Sequence, residues 1–355
     1  MFPNDKKLKT SLLNQVFNNT VATYKFYWFL SILHIVVKKN QTKMSFWEII
    51  AGMISLSWYP IHYFKISFGK LDSIYQQSNL LQSRFNIAID EDKNYIEKFI
   101  INNLDKTKEL LNVFSYTVPY RFLSPWINWE SNIDTEQKSQ NFENECLYKI
   151  EKDIIEINPI WVNYLCEHYT ILQDFTYWNL TLFLQKRNPN VPDLTSKLVK
   201  PISRNSLTKQ RNFWNSYIDN IGFMRCIYTG KELKSQKSAY DLDHFIPWSF
   251  VSHDLLWNLL PIDPSINSSK SDNLPPLDIF IKPFAIHHQK ALQILYSKNP
   301  NNKLFEDYLT LHDSIPDLIS LSEEDFISTF KKTISPLAQI AENMGFNTWN
   351  NYPKL

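Results

Sequence analysis

Five polar residues in the later part of the chain combine side-chain types that can hydrolyse a phosphodiester bond: Asp243, His244, Asn258, Asn267 and Lys270. A hard divalent cation needs oxygen ligands, which the Asp243 carboxylate and the Asn267 amide can supply. Such a cation would stabilise charge on a scissile phosphate and on the departing oxygen. His244 could take a proton from the attacking water, because imidazole exchanges protons near neutral pH.

Two β-type runs and a helix are predicted to position these residues. Arg225–Tyr228 and Ala239–Ile246 read as strands, and Thr229-Gly230-Lys231 between them is a turn signal. Pro247 ends the second run, because proline cannot donate to a ladder. Asp263-Pro264 has the residue types of a helix N-cap and first helical position. The predicted order is therefore strand, strand, loop, helix.

This order constrains which side chains can meet. Asn267 and Lys270 are three residues apart on the predicted helix, so they share a face. Asp243 and His244 are strand neighbours, and successive strand side chains point to opposite faces. They can serve one site only if the strand ends or twists there. His253-Asp254, in the intervening loop, is expected to be solvated, as loop polar residues usually are.

The stretch of about fifty residues around these positions resembles the HNH, or ββα-metal, nuclease family. It is most similar to the HNH domain of the RNA-guided CRISPR effector nucleases of type II systems. The segments CIYTGK, DLDHFIPWSF, the WN of LLWNLLP and NSSKSDNLP carry the likeness in residue type and spacing. The resemblance implies that Asp243 and Asn267 hold the metal and that His244 is the general base. It also implies that Asn258 braces the loop and that Lys270 lies near phosphate.

Two departures from the family pattern bear on the cofactor. Asn267 stands where many members have histidine, as in the effector-type subgroup. Thr229 stands where a second cysteine would complete a CxxC pair with Cys226, so we expect no structural zinc. The oxygen ligands predict Mg²⁺ or Mn²⁺ as the cofactor. Guide RNA is not expected, because the chain is short for an RNA-guided effector and shows no second nuclease motif.

Around this segment the sequence predicts a mainly α-helical protein, with a small α+β HNH module toward the C-terminus. A chain of 355 residues usually forms two or three units. We expect a helical domain of unknown role at 1–200, the nuclease module at 201–276 and a helical extension at 277–355. In the first of these, Ser45 and Glu48 have the spacing of a capping box.

Charge and composition bear on whether the protein binds nucleotides or a polyanion. The net charge is +1, and the chain has five glycines and no Gly-rich phosphate-loop motif. The segment from Lys186 to Lys237, however, contains eleven Lys or Arg residues and only three acidic residues. The segment Glu130–Glu156 contains eight acidic residues and three lysines. This asymmetry predicts a surface for a polyanion, with an ordinary solvated face as the alternative. The candidate phosphate contacts are Lys197, Lys200, Arg204, Lys209 and Arg211.

Features of the chain that bear on location favour the cytoplasm. Three widely spaced cysteines fit a reducing compartment, and the N-terminus lacks the pattern of a signal peptide. The apolar runs Tyr24–Val37 and Phe46–Phe64 contain charged, histidine or proline residues. We therefore expect buried helices there and no membrane association.

Together these observations predict an endonuclease that hydrolyses DNA with one divalent metal ion, in bacterial restriction or anti-phage defence and with partner subunits of such a system. By resemblance, its products carry 5′-phosphate and 3′-hydroxyl ends. RNA cleavage stays open, because the site does not itself distinguish the sugars. A second alternative is a nucleic-acid-binding or assembly subunit whose nuclease needs a partner.

Overall fold

The computed structural model of the protein describes Pro3, Asp5 and residues 8–18, 20–200, 205–235 and 240–353. The chain divides into two compact units. We call them the N-terminal unit, Met1–Pro189 with Leu194–Lys200, and the C-terminal unit, Asn190–Asp193 with Pro201–Leu355.

The N-terminal unit is mainly helical. The bounds of its helices are α1 Thr10–Asn14, α2 Tyr24–Lys38, α3 Phe46–His62, α4 Ser73–Phe85, α5 Lys93–Asn102, α6 Leu104–Leu111, α7 Val118–Phe122, α8 Asn132–Ser139, α9 Pro159–Glu167 and α10 Tyr169–Gln185. Three short strands, β1 Lys43–Ser45, β2 Tyr148–Glu151 and β3 Ile154–Ile157, form an antiparallel sheet in the order β1-β3-β2.

The two apolar runs of the sequence form helices α2 and α3, which pack against each other. Because they are apolar on most faces, most of their residues are buried. The predicted capping box of α3 is confirmed: Ser45 Oγ accepts from the Glu48 N–H at 3.2 Å, and Glu48 Oε2 accepts from the Ser45 N–H at 2.7 Å. Among the described residues, no helix is both long and apolar enough to cross a membrane.

The C-terminal unit combines helices with two small sheets. Its helices are α11 Thr208–Ile221, α12 Trp248–Val251, α13 Asn267–Lys270, α14 Leu277–Lys298, α15 Ile315–Ser320 and α16 Glu323–Asn343, with 3₁₀ segments at Leu256–Asn258, Pro264–Ile266 and Lys303–Thr310. Its strands are β4 Met224–Arg225, β5 Glu232–Leu233, β6 Asp241–His244 and β7 Leu259–Ile262, paired antiparallel as β4-β5 and β6-β7.

One hydrophobic core joins the strand region to the C-terminal helices. Ile246 and Leu260 from the strand region belong to the same buried cluster as Phe284 on α14 and Phe330 on α16. Residues 277–353 therefore pack within the C-terminal unit. The predicted fold class, mainly α-helical with a small α+β module toward the C-terminus, is confirmed.

Candidate active site

The candidate site is built on the β6-β7 ladder. Asp243 lies opposite Leu260 and His244 opposite Leu259. The sequence-based assignment of the strands was wrong here in two respects. It placed the residues of β7 in a loop. It also predicted a first strand at Arg225–Tyr228, where only Arg225 lies in a strand. β7 contains Pro261, which lacks an N–H but is tolerated because both strands of a two-stranded sheet are edges.

Alternate side chains of β6 contact α13. Asp241 and Asp243 are two residues apart, so they share a face of the strand. Asp241 Oδ2 accepts a hydrogen bond from Asn267 Nδ2 at 3.1 Å, and Asp243 Oδ2 lies 2.8 Å from Lys270 Nζ. The structure thus brings together Asp243, Asn267 and Lys270, and it adds Asp241, which the sequence analysis missed. The signal was present in the Asp-Leu-Asp alternation.

Lys270 has no exposed side-chain surface. Its ammonium contacts the Asp243 carboxylate at 2.8 Å and donates to the His244 carbonyl at 2.8 Å. A buried ammonium is stable only when it is paired, and these contacts supply the pairing. Its charge is directed to the end of β6, and the place of Lys270 near a phosphate stays a prediction.

His244 contacts a different element from its neighbour Asp243. Its Nε2 lies 2.9 Å from Asp254 Oδ1, and the two side chains are only 11% and 17% exposed. Asp254 follows α12, whose C-cap residue Ser252 is in the left-handed conformation (φ 57°). Gln210 Nε2 on α11 donates to the Asp254 carbonyl at 3.1 Å. The expectation that Asp254 is a solvated loop residue was wrong, since its carboxylate is the partner of His244.

Asn258 closes the loop between β6 and β7. It is fully buried, its Oδ1 accepts from the Ile246 N–H at 2.8 Å, and its Nδ2 donates to the Ile246 carbonyl at 2.9 Å. The Phe245 N–H also donates to the Asn258 carbonyl at 2.8 Å. Asn258 has no exposed surface and positions the backbone of this loop.

Asp263 anchors the helical segment that carries Asn267 and Lys270. As N-cap, its Oδ1 accepts from the Ser265 N–H at 3.0 Å, and Lys231 Nζ lies 2.7 Å from its Oδ2. Burial acts to raise the pKa of Asp263, but the Lys231 ammonium and the Ser265 hydrogen bonds outweigh it and lower the pKa to about 2. The Asp263 N–H donates to Cys226 Sγ at 3.3 Å, so this cysteine joins the β4-β5 turn to the cap.

The basic tract is divided between the two units. Lys197, in the N-terminal unit, is fully buried with Nζ 5.8 Å from the Phe64 ring centroid, so the expectation that it contacts phosphate is wrong. Lys200, in the same unit, donates to the Asp90 carbonyl at 2.5 Å. The prediction for Arg204 lies outside the described residues.

The other two candidates of the tract lie on α11 in the C-terminal unit. Lys209 is exposed. Arg211 is half-buried, donates to the Tyr240 carbonyl at 3.0 Å and lies 4.8 Å from the Tyr240 ring centroid. Arg211 therefore has structural partners, whereas the Lys209 side chain faces solvent.

The donor atoms between β6 and α13 fit a hard cation. Asp241, Asp243 and Asn267 present two carboxylates and one amide, an all-oxygen set of the kind that Mg²⁺ and Mn²⁺ prefer. Across the described part of the chain, no three or more His, Cys, Asp or Glu side chains are grouped so that they could hold a metal ion. Asp241, Asp243 and Asn267 are the residues between β6 and α13 that would hold such an ion.

The segment that carries this site was compared with known protein families. Residues 226–276 match the HNH endonuclease family. This match confirms the resemblance of the segment to HNH endonucleases that was seen in the sequence.

Part of the chain is also similar to a particular protein. The chain is 35% identical over 85 residues to the CRISPR-associated endonuclease Cas9 of Listeria innocua serovar 6a. The match covers 24% of this chain and spans 6% of the length of that relative. No solved structure matches the chain.

Asp263→Asn should reveal the charged cap as a pH-dependent contribution to stability. Asparagine keeps the cap acceptor but loses the charge. Because folding lowers the pKa of Asp263 to about 2, its charge stabilises the fold above about pH 4, and this contribution is lost as the pH falls through 2. We expect the variant to be about 1 kcal/mol less stable at pH 7, since the exposed Lys231 partner is screened.

Urea unfolding at pH 7, 4 and 2, followed by tryptophan fluorescence, measures this difference. Asp313→Asn is the matched control, because the Asp313 side chain is 98% exposed. A stability difference between Asp263→Asn and the wild type that is as large at pH 2 as at pH 7 would show that the charge of Asp263 does not contribute.

Proposed function

We propose that the protein is an endonuclease that hydrolyses DNA with one divalent metal ion, Mg²⁺ or Mn²⁺, at its HNH module. One observation carries the proposal: within the segment that matches the HNH family, Asp241 contacts Asn267 and Asp243 contacts Lys270, both on α13, and the neighbouring His244 is paired with a carboxylate. These are the residue types that metal-assisted phosphodiester hydrolysis requires.

Asp243 and Asn267 are the proposed metal-holding residues, and Asp241 is a third oxygen donor of the same cluster. When bound, the metal stabilises charge on the scissile phosphate and on the leaving oxygen. Lys270 holds the Asp243 carboxylate from the buried side and fixes its direction. The Asp241 contact with the Asn267 amide fixes the distance between strand and helix.

His244 is the proposed general base. An Asp254 carboxylate 2.9 Å from Nε2 favours the tautomer in which Nε2 carries the hydrogen and donates it. Nδ1 is then the basic nitrogen, and it takes the proton from the attacking water. Asp254 also stabilises the imidazolium that results, so it is a positioning residue of the same kind as the aspartate of a hydrolytic triad.

The proposed setting is the bacterial cytoplasm, in restriction or anti-phage defence, together with partner subunits of such a system. Similarity to a CRISPR-associated endonuclease supports the defence role. All three cysteines are free thiols, which supports a reducing compartment. DNA is the substrate we propose, and RNA cleavage is the alternative that the assay below separates from it.

His244→Ala should lower the rate of DNA cleavage by about 10²–10⁴-fold, the usual contribution of a positioned proton acceptor. The variant should fold and bind DNA as the wild type does, because the His244 backbone carbonyl that pairs with Lys270 is unchanged. The measurement is cleavage of plasmid DNA and of an RNA transcript in Mg²⁺, in Mn²⁺ and in EDTA. His253→Ala is the matched control, from a histidine in the adjacent loop.

The outcomes separate the hypotheses. Cleavage by His244→Ala at the wild-type rate in saturating Mg²⁺ would show that His244 is not the base. Metal-dependent cutting of RNA but not of DNA would replace the proposed substrate. A wild-type protein that binds DNA but cuts neither polymer would favour the binding or assembly subunit.

Asp254→Ala should lower the cleavage rate by roughly 10²-fold or more, with little change in affinity for DNA, because it frees the tautomer of His244. Asp254→Glu should recover part of the rate. The ¹⁵N chemical shifts of the His244 ring report its tautomer. We expect the Nε2–H tautomer in the wild type and a mixture of tautomers in Asp254→Ala, whereas a purely structural role of Asp254 would leave these shifts unchanged. An unchanged His244 spectrum in Asp254→Ala would contradict the assignment.

A further inference from the structure

A groove of about 800 Å³ lies in the C-terminal unit, outside the residues described above as the site. One wall is α11, and the other is the end of α14 with the residues that follow it. Phe213 and Leu295 line it as buried apolar side chains, 3% and 8% exposed. The groove therefore has an apolar base.

The charged lining of the groove is mainly basic. Lys209, Lys298 and Lys303 line it and are exposed, and Asp219 is the acid among its described lining residues. Lys298 also donates to Asn220 Oδ1. Further asparagines line the same groove: Asn212, Asn299 and Asn302. Ammonium groups donate hydrogen bonds to phosphate oxygens, and amides beside them can hydrogen-bond to base edges.

Both walls of the groove also hold the loop that carries Asp254. Lys209 lines the groove, and the next residue, Gln210, donates to the Asp254 carbonyl at 3.1 Å. Lys303 begins the 3₁₀ segment of the other wall, in which Asp307 Oδ2 accepts from the Leu256 N–H at 2.7 Å. The groove and the partner of His244 are therefore built on the same two elements.

We propose that this groove binds the phosphate backbone of the nucleic-acid substrate beside the active site. The proposal rests on the nuclease function proposed above and names the surface that holds the flanking strand. Lysines on opposite walls contact successive phosphates, and the asparagines hydrogen-bond to sugars or base edges. Because the walls brace the loop of Asp254, a strand bound in the groove is held next to His244.

The test measures binding without cleavage, in EDTA. The probes are a 30-base-pair DNA duplex of arbitrary sequence, its single strand and an RNA of the same length. Lys209→Glu/Lys303→Glu changes one lysine on each wall and leaves the Lys298 contact intact. For the polymer that the wild type binds, we expect the Kd of this variant to be roughly tenfold to hundredfold higher than that of the wild type at 0.1 M salt. The slope of the logarithm of the association constant against log [salt] should be smaller in magnitude by about 2.

Lys331→Glu/Lys332→Glu is the control, because it makes the same change of charge at two exposed residues of α16 that do not line the groove. It should bind as the wild type does. An equal loss in this control, or no loss in Lys209→Glu/Lys303→Glu, overturns the proposal. Circular dichroism checks folding, and Lys209→Gln/Lys303→Gln should show a smaller loss in the same direction.

The two proposals can fail separately. Wild-type protein that binds DNA through the groove lysines but cuts neither DNA nor RNA leaves the groove standing and removes the nuclease function. Wild-type protein that binds none of the three probes overturns the groove. Its hydrolysis of bis(p-nitrophenyl) phosphate, a substrate without flanking phosphates, then reports separately on the nuclease site.

Discussion

The arrangement of the site depends on one buried cation, the ammonium of Lys270. Removing an ammonium from water costs several kcal/mol unless its charge is paired and its donors are used. Here the Asp243 carboxylate and the His244 carbonyl, each at 2.8 Å, supply the pairing. A single side chain thus ties α13 to the end of β6 and sets the place of both a proposed metal ligand and the proposed base.

A second set of polar contacts holds the loop opposite the strand. Asn258 pairs both polar atoms of its amide with the backbone of Ile246, and Gln210 and Asp307 hold the loop from outside. Loops carry functional side chains well only when a rigid scaffold positions them. Asp254 can therefore meet His244 at hydrogen-bond distance although it lies in a segment without regular structure for most of its length.

What the sequence could predict is local. The capping box at Ser45 and the helix start at Asp263-Pro264 depend on contacts within a few residues, and both are present in the structure. Asp243, His244 and Asn267 were singled out because their types recur at fixed spacing in a known motif. That pattern located the module.

What the sequence could not predict depends on tertiary contacts. β7 contains a proline and was left in a loop, because its role comes from pairing with β6. Asp254 resembles any loop carboxylate until the fold brings it to His244. Lys197 was assigned to a basic surface, yet its whole side chain is buried, since a lysine stem can pack within a core. In each case, the decisive contact is made by the fold and not by neighbouring residues of the sequence.

Asp243 and Asn267 are proposed to hold one hard divalent cation beside His244. The most direct test is anomalous diffraction from a crystal soaked in Mn²⁺. The account predicts one strong peak about 2 Å from an oxygen of Asp243 and from the Asn267 amide oxygen, lost in Asp243→Ala. No peak there at saturating Mn²⁺, or a site held instead by histidine or cysteine elsewhere in the chain, would contradict it.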